Sequence, residues 1–343
     1  MSEASFKPDR LRIARELRAW TQSDLARRVS EHSPLSPAAV GQFESGSTRP
    51  STETLRRLSD ALEVPAAFLT RPIVETHEGF FRSIRRTPVR HRRRARALAH
   101  IIHDLAASAD GRLLPTVDLP QFSPELEAER AEIEQIAADV RRLWQIPAGP
   151  LVDVVALMER HGVVVACLPL DSGDVDAFSL PFHDRPVAVL GADKGDRARS
   201  RFDAAHELGH LIMHGDRVWG LKQVEDQAHW FAAALLMPRD DIYEELPATV
   251  DWPAFFYLKE RWQVSLAALL MRAKKLGRMD DASYLAAVKA ASARGWRRVE
   301  PVPLGLPERP ALLAQIIAAE GGDEVCATLP AEVVKSIMAA NAL

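Results

Sequence analysis

The sequence predicts a multidomain chain: an all-α N-terminal domain followed by a mainly α (α+β) domain with a small sheet. Three observations carry this. Apolar residues recur at helical spacing through most of the 343 residues, a length sufficient for two or three domains with cores. Short apolar runs of strand length cluster in one window, at 163–168, 177–180 and 186–190, the first of them rich in β-branched valine. The charge is uneven: residues 1–100 hold 19 Lys+Arg against 11 Asp+Glu, a balance of +8, and the rest of the chain carries −11 within a total of −3. A basic N-terminal third on an acidic body suggests a nucleic-acid face at one end, the alternative being a solvated basic surface.

The helices of the first domain, residues 8–72, have legible punctuation. Residues 8–19 place Leu11, Ala14, Leu17 and Arg18 in helical register. Thr21 can cap a second helix, Gln22 to Val29. Ser36 caps a third, with Pro37 at the favoured first position; it runs to about Glu44 and stops at Gly46. A fourth begins at Ser51 or Thr52 and buries Leu55, Leu58 and Leu62, and Phe68 and Leu69 suggest a short fifth.

Residues 73–123 read as a basic linker and helix. Phe80 and Phe81 are expected to anchor the segment to a core, and Pro88 interrupts it. The arginines to Arg94 are either solvated or able to contact phosphates. Helical spacing then runs from Ala95 to about Ala107. The second domain spans 124–295. It opens with an amphipathic helix from Pro124 to Trp144 and a helix over 152–161, followed by the three strands. The sheet is expected to pack against a helix from Arg199 to His214, and helices continue from Trp252 to about Arg294. Residues 296–343, with prolines at 301, 303, 307 and 310 and a short helical region, form an extension of unknown role.

Several classes are excluded. No run of about 18 apolar residues exists, so no membrane span is expected. Met1 to Arg15 is polar and basic without an apolar core segment, so it is not a secretory signal. Cys167 and Cys326 alone make neither a disulfide framework nor a cysteine-rich metal site. A reducing cytoplasm is the expected location.

The most specific motif is His206-Glu207-Leu208-Gly209-His210, an H-E-x-x-H in a helical stretch. Four residues make about one turn, so both imidazoles share a face and can reach one Zn²⁺ at about 2.0–2.1 Å. Glu207 lies between them, where a carboxylate can take a proton from a water activated by the metal. A catalytic zinc wants a third protein ligand. The segment 224–237 reads as a second helix closed by Pro238, with Ala228, Phe231, Ala232 and Leu235 as its buried stripe. Glu225 lies near that stripe. It is either the third ligand or a helix N-terminal carboxylate favoured by the dipole, and beside H-E-x-x-H the ligand reading is preferred.

The phrase Trp20-Thr21-Gln22-Ser23-Asp24-Leu25-Ala26, then Val40-Gly41-Gln42-Phe43-Glu44-Ser45-Gly46 and Pro50, resembles the XRE family of lambda-repressor-like helix-turn-helix regulators over about residues 8–70. The resemblance implies binding to double-stranded DNA, with the second helix bracing the third in the major groove and a homodimer reading paired half-sites. It implies that Gln22 meets a phosphate and that Ser36 to Gln42 line base edges. Pro37, Ala38 and Gly41 are short there, and only Gln42 can reach a base in bidentate fashion. The candidate DNA contacts are Gln22, Ser36, Ala38, Gln42, Thr48 and Arg49. The alternative is a helix-turn-helix used for protein contacts.

The run from Arg201 to His214, then Glu225, then Phe231-Ala232-Ala233-Ala234-Leu235-Leu236-Met237-Pro238, is similar to the ImmA/IrrE family of metallopeptidases over about residues 150–280. The resemblance implies a zincin-like domain that cleaves a repressor of the helix-turn-helix type. Its metal ligands would be His206, His210 and Glu225, its base Glu207, and its metal Zn²⁺, with Mn²⁺ as a substitute. Many members have Asn where this chain has His229. His214, His229 and Arg201 are candidates for a supporting or oxyanion-stabilising role. Together the two resemblances imply a transcriptional regulator carrying a zinc endopeptidase that cuts itself or a partner repressor. The alternative is a regulator whose peptidase-like domain is a non-catalytic sensor or a structural zinc site.

Overall fold

The structure is a computed structural model that describes residues 5–29, 34–74, 76, 80–81, 88–109, 111, 113–170, 176–192, 195–215 and 221–341. In chain order its elements are α1 (Pro8–Leu17), α2 (Gln22–Val29), α3 (Pro37–Glu44), α4 (Thr52–Leu62), a 3-10 turn (Ala66–Thr70), β1 (Phe80–Phe81), α5 (Val89–Ala107), α6 (Arg130–Leu143), α7 (Val154–Arg160), β2 (Val164–Leu168), β3 (Ala177–Leu180) and β4 (Val187–Gly191). Helices follow: α8 (Arg197–Met213), α9 (Lys222–Leu236), α10 (Arg239–Ile242), α11 (Trp252–Trp262), α12 (Leu266–Lys275), α13 (Asp281–Ala293), α14 (Leu312–Glu320), α15 (Gly322–Cys326) and α16 (Ala331–Asn341). Two compact units interleave in sequence, one formed by 1–117, 159–192 and 310–343, the other by 118–158 and 193–309. No helix among the described residues is long and apolar enough to cross a membrane.

In the first unit the expected caps are in place. Asp24 N–H donates to Thr21 Oγ1 at 3.1 Å while Thr21 N–H donates to Asp24 Oδ2 at 3.0 Å, a reciprocal cap on α2. Ser36 Oγ accepts from Ala39 N–H at 3.1 Å, and Ser51 Oγ from Thr54 N–H at 3.2 Å. Beyond α3 the chain turns through Gly46, whose φ of +74° suits glycine. Under these helices Arg15 and Glu44, both buried, form a bidentate pair with distances of 2.6 and 2.9 Å, and Gln22 Nε2 donates to the same carboxylate at 2.9 Å. This network ties α1 and α2 to α3.

α5 begins at Val89 rather than near Ala95, so the arginines from Arg90 to Arg94 are helical. Pro88 stands at its N-cap, where a missing N–H costs nothing. The expectation for the side chains of Phe80 and Phe81 lies outside the described residues, as do residues 82–87.

The sheet has the order β1-β3-β4-β2, with β2 and β4 parallel and β3 antiparallel to both of its neighbours. β2 and β3 are buried throughout, and β4 in all but its last residue. A strand with no solvent-facing side needs cover on both faces. The sequence reading rests this sheet on the H-E-x-x-H helix. In the structure it belongs to the first unit, and helices α5, α14 and α16 pack on it. The described residues from 310 to 341 are thus core-forming: Leu313, Ile316, Val334 and Ile337 are all fully buried. Glu159 caps α14, accepting from Ala311 and Leu312 N–H at 3.0 Å each.

A buried histidine gives this unit an acid-sensitive point. His100 on α5 packs edge-on against Phe182 with ring centroids 5.0 Å apart. Burial, and then the charges of Arg96, Arg10 and His103, push its pKa down to about 3. Above about pH 6.5 the imidazole is neutral in both folded and unfolded chains and no stability depends on it. As pH falls from there toward 3, only the unfolded chain takes the proton, and stability drops by about 1.4 kcal/mol per pH unit. His100→Leu is therefore expected to unfold with a shallower pH dependence than the natural chain between pH 7.5 and 5.5. Denaturant midpoints, measured with a chelator present, check this; parallel curves would refute it.

In the second unit α6 starts at Arg130, six residues later than the sequence suggests. The reason is local. The carbonyls of Glu125 and Leu126 accept from the Gln227 side chain at 2.7 and 3.3 Å, and Phe122 N–H donates to Ile212 O at 2.9 Å. The segment is held by α8 and α9 in a non-helical path. Asp251, Ser265 and Asp280 cap α11, α12 and α13.

Candidate metal centre

From Asp203 to His214 every residue of α8 and its C-cap is buried. A helix buried all round is usually apolar. This one holds His206, Glu207, His210 and His214, each with no exposed surface. Polar groups so placed need partners, and α9 supplies them to the histidines through Glu225 and Gln227.

His206 Nε2 and His210 Nε2 lie 3.1 Å apart. Glu225, at the start of α9, brings Oε2 to 3.4 Å from His206 Nε2 and Oε1 to 3.7 Å from His210 Nε2. The three ligand atoms fall within 4.8 Å of one another. Ligands of a tetrahedral zinc at about 2.0–2.2 Å would sit roughly 3.3–3.6 Å apart, and the observed separations bracket that spacing. Two imidazoles and one carboxylate are also a donor set suited to zinc. The residues present can hold a divalent metal.

Gly209 sets the approach of the two helices. A Cβ there would stand 2.9 Å from Cδ1 and 3.2 Å from Cγ of Phe231, a fully buried ring on α9. Only glycine lets that ring lie against α8 and carry Glu225, about two turns earlier on α9, to the histidines.

The remaining candidates separate. His214 Nδ1 lies 2.9 Å from His210 Nδ1, and its Nε2 lies 3.0 Å from Gln227 Oε1. His229 is exposed, with its ring 5.6 Å from that of His206 and 4.8 Å from that of Phe202. Arg201 serves elsewhere, so its candidacy as an oxyanion donor is corrected. Its guanidinium pairs with buried Glu308 and donates to the carbonyls of Val152 and Leu151 at 3.1 and 2.8 Å. Glu308 in turn accepts from Val154 and Val155 N–H at 2.8 and 3.3 Å. Burial draws the Arg201 pKa down to about 10, with Arg197 adding and Asp153 opposing, so it stays charged at neutral pH as a structural cation.

On the helix-turn-helix, Ser36, Ala38, Gln42, Thr48 and Arg49 are all exposed, on α3 and the turn after it. Gln22 is half-buried, its amide nitrogen donating to Glu44 and its side chain lying under Gly41.

Family comparisons agree with both regions. A helix-turn-helix family model matches residues 11–69, and the model described as the IrrE N-terminal-like domain, a peptidase family, matches residues 158–274. A helix-turn-helix region followed by an IrrE-like region matches the architecture of an XRE-type helix-turn-helix domain fused to an ImmA/IrrE metallopeptidase-like domain. A comparison with curated proteins gives no match. The IrrE-like match begins at the end of α7 and ends in α12, so it includes α8, α9 and the whole His206–His210–Glu225 cluster.

The sequence reading missed Gln227 in this IrrE-like domain. A signal was present: Gln227 stands four residues before Phe231 and so falls on the buried stripe of α9. An amide on an apolar stripe calls for a partner.

Proposed function

We propose that this protein is a DNA-binding transcriptional regulator whose IrrE-like domain is a zinc-dependent endopeptidase, cutting either itself or a partner repressor. The supporting observation is the convergence of His206, His210 and Glu225 beside a fully buried Glu207. When bound, a divalent metal supplies Lewis acidity toward a peptide carbonyl and makes water a better proton donor. Glu207, which stands between the two histidines in sequence, accepts the proton from the attacking water and returns it to the leaving amine nitrogen. In this reading His229, exposed and with its ring 5.6 Å from that of His206, donates to the carbonyl oxygen as negative charge develops there. A structural zinc site would need no base such as Glu207. On the DNA side, Ser36, Ala38, Gln42, Thr48 and Arg49 form the reading surface, while Gln22 positions the helices and meets a phosphate.

The test is metal content by mass spectrometry on the full chain and on Glu225→Ala, with a gel for fragments after adding Zn²⁺ or Mn²⁺. About one metal per chain is expected, lost in the variant. A natural chain that takes up no zinc when supplied would overturn the peptidase reading.

A further inference from the structure

We infer that His214 and Gln227 fix the tautomer of His210, holding its hydrogen on Nδ1 so that the Nε2 lone pair faces His206 and Glu225. This rests on reading that cluster as a metal site.

The relay starts at the backbone. Gln227 Nε2 donates to the carbonyls of Glu125 and Leu126 at 2.7 and 3.3 Å. Reversing the amide would set its oxygen against two other oxygens, so its orientation is determined by that neighbourhood. Oε1 therefore faces His214 Nε2 at 3.0 Å. An amide oxygen only accepts, so His214 Nε2 carries the hydrogen. A neutral imidazole has one N–H, which makes His214 Nδ1 an acceptor. That atom lies 2.9 Å from His210 Nδ1, which must then donate. The hydrogen on His210 is accounted for, and its Nε2 is left as a lone pair 3.1 Å from His206 Nε2 and 3.7 Å from Glu225 Oε1.

Each link follows from an acceptor-only group before it. His210 and His214 have no exposed surface and Gln227 has 1 %, so water does not compete for these positions. Both nitrogens of His214 are engaged along the relay, which removes it as an alternative metal ligand. His214 and Gln227 are positioning residues. The non-helical segment before α6 gains a purpose here, since its two carbonyls orient the relay.

The experiment uses the full chain, stripped of metal, at about pH 8, above the unperturbed imidazole pKa of about 6.5. Long-range ¹H–¹⁵N NMR is expected to show His210 protonated on Nδ1 and His214 on Nε2. Zinc affinity, measured by competition with a chromophoric chelator, is expected to fall about 10–100-fold in His214→Leu. The same variant should show a mixture of His210 tautomers. His214→Gln, whose amide can accept from His210 and donate to Gln227, should recover part of the loss. A hydrogen on His210 Nε2 or on His214 Nδ1 in the natural chain would overturn the inference, as would His214→Leu binding zinc like the natural chain. The NMR result needs no variant to fold. It is also separable from the peptidase reading: absent cleavage with the expected tautomers and affinities would count against peptidase activity alone.

Discussion

Glu207→Gln is expected to keep its metal and to lose cleavage by about 10²- to 10⁴-fold, the usual contribution of a positioned general base. The substitution preserves shape in a position with no exposed surface. Glu207 is not among the three residues whose ligand atoms converge, so metal content should not change. What is lost is the capacity to take a proton, because an amide oxygen is not basic at neutral pH. The assay compares fragment yield from the full chain, alone and mixed with a separate helix-turn-helix repressor, with metal content measured on the same samples. Cleavage at the natural rate would remove Glu207 from the chemistry. Loss of metal would instead place it in the coordination shell. Fragments from the natural chain alone would identify a self-cleaving regulator, whereas fragments only from the added repressor would identify cleavage in trans.

This experiment is possible to design from sequence because the relevant signals are local. H-E-x-x-H fixes three side chains on one helix by periodicity, and the helix of Glu225 is marked by Pro238 and an apolar stripe. The caps of α2, α3 and α4 are equally local, each a hydroxyl three residues before the N–H it accepts. What sequence could not supply depends on distant partners. Gln227 matters only because the carbonyls of Glu125 and Leu126, about a hundred residues away in sequence, orient it. Arg201, one turn before the histidines, looks available until Glu308 is seen to hold it. The sheet's cover is another such case: β2 is fully buried, and besides α5 it is covered by α14 and α16, which follow a proline-rich stretch and carry no chemical motif. Register and capping are written over three or four residues, while burial of polar groups is decided by the whole fold.

The same contrast governs the helix-turn-helix, where Glu44→Ala is expected to cost about 3–5 kcal/mol. Glu44 looks like an ordinary helix-end carboxylate in sequence. In the structure it is 4 % exposed and accepts from Arg15 twice and from Gln22 once. Truncation would leave the buried Arg15 guanidinium with the Trp20 carbonyl at 2.8 Å and with Glu16 no closer than 3.9 Å. The penalty is that of an uncompensated buried charge, not the loss of a favourable ion pair, since desolvation offsets much of the pair's attraction. It is also large against the 5–15 kcal/mol that holds a typical domain together. Hydrogen exchange of the α1–α3 amides in the full chain measures it locally, and DNA affinity should fall with it because α3 presents Ser36, Ala38 and Gln42. A loss under about 1 kcal/mol would mean that the pair behaves as a solvated surface bridge. The double variant Arg15→Met, Glu44→Leu separates the two terms. With no charge left buried it should recover most of the stability, yet Gln22 would lose its anchor on α3. Stability regained with DNA affinity still reduced would show that the network's contribution is the alignment of α2 and α3, and that its charges are tolerated for that geometry.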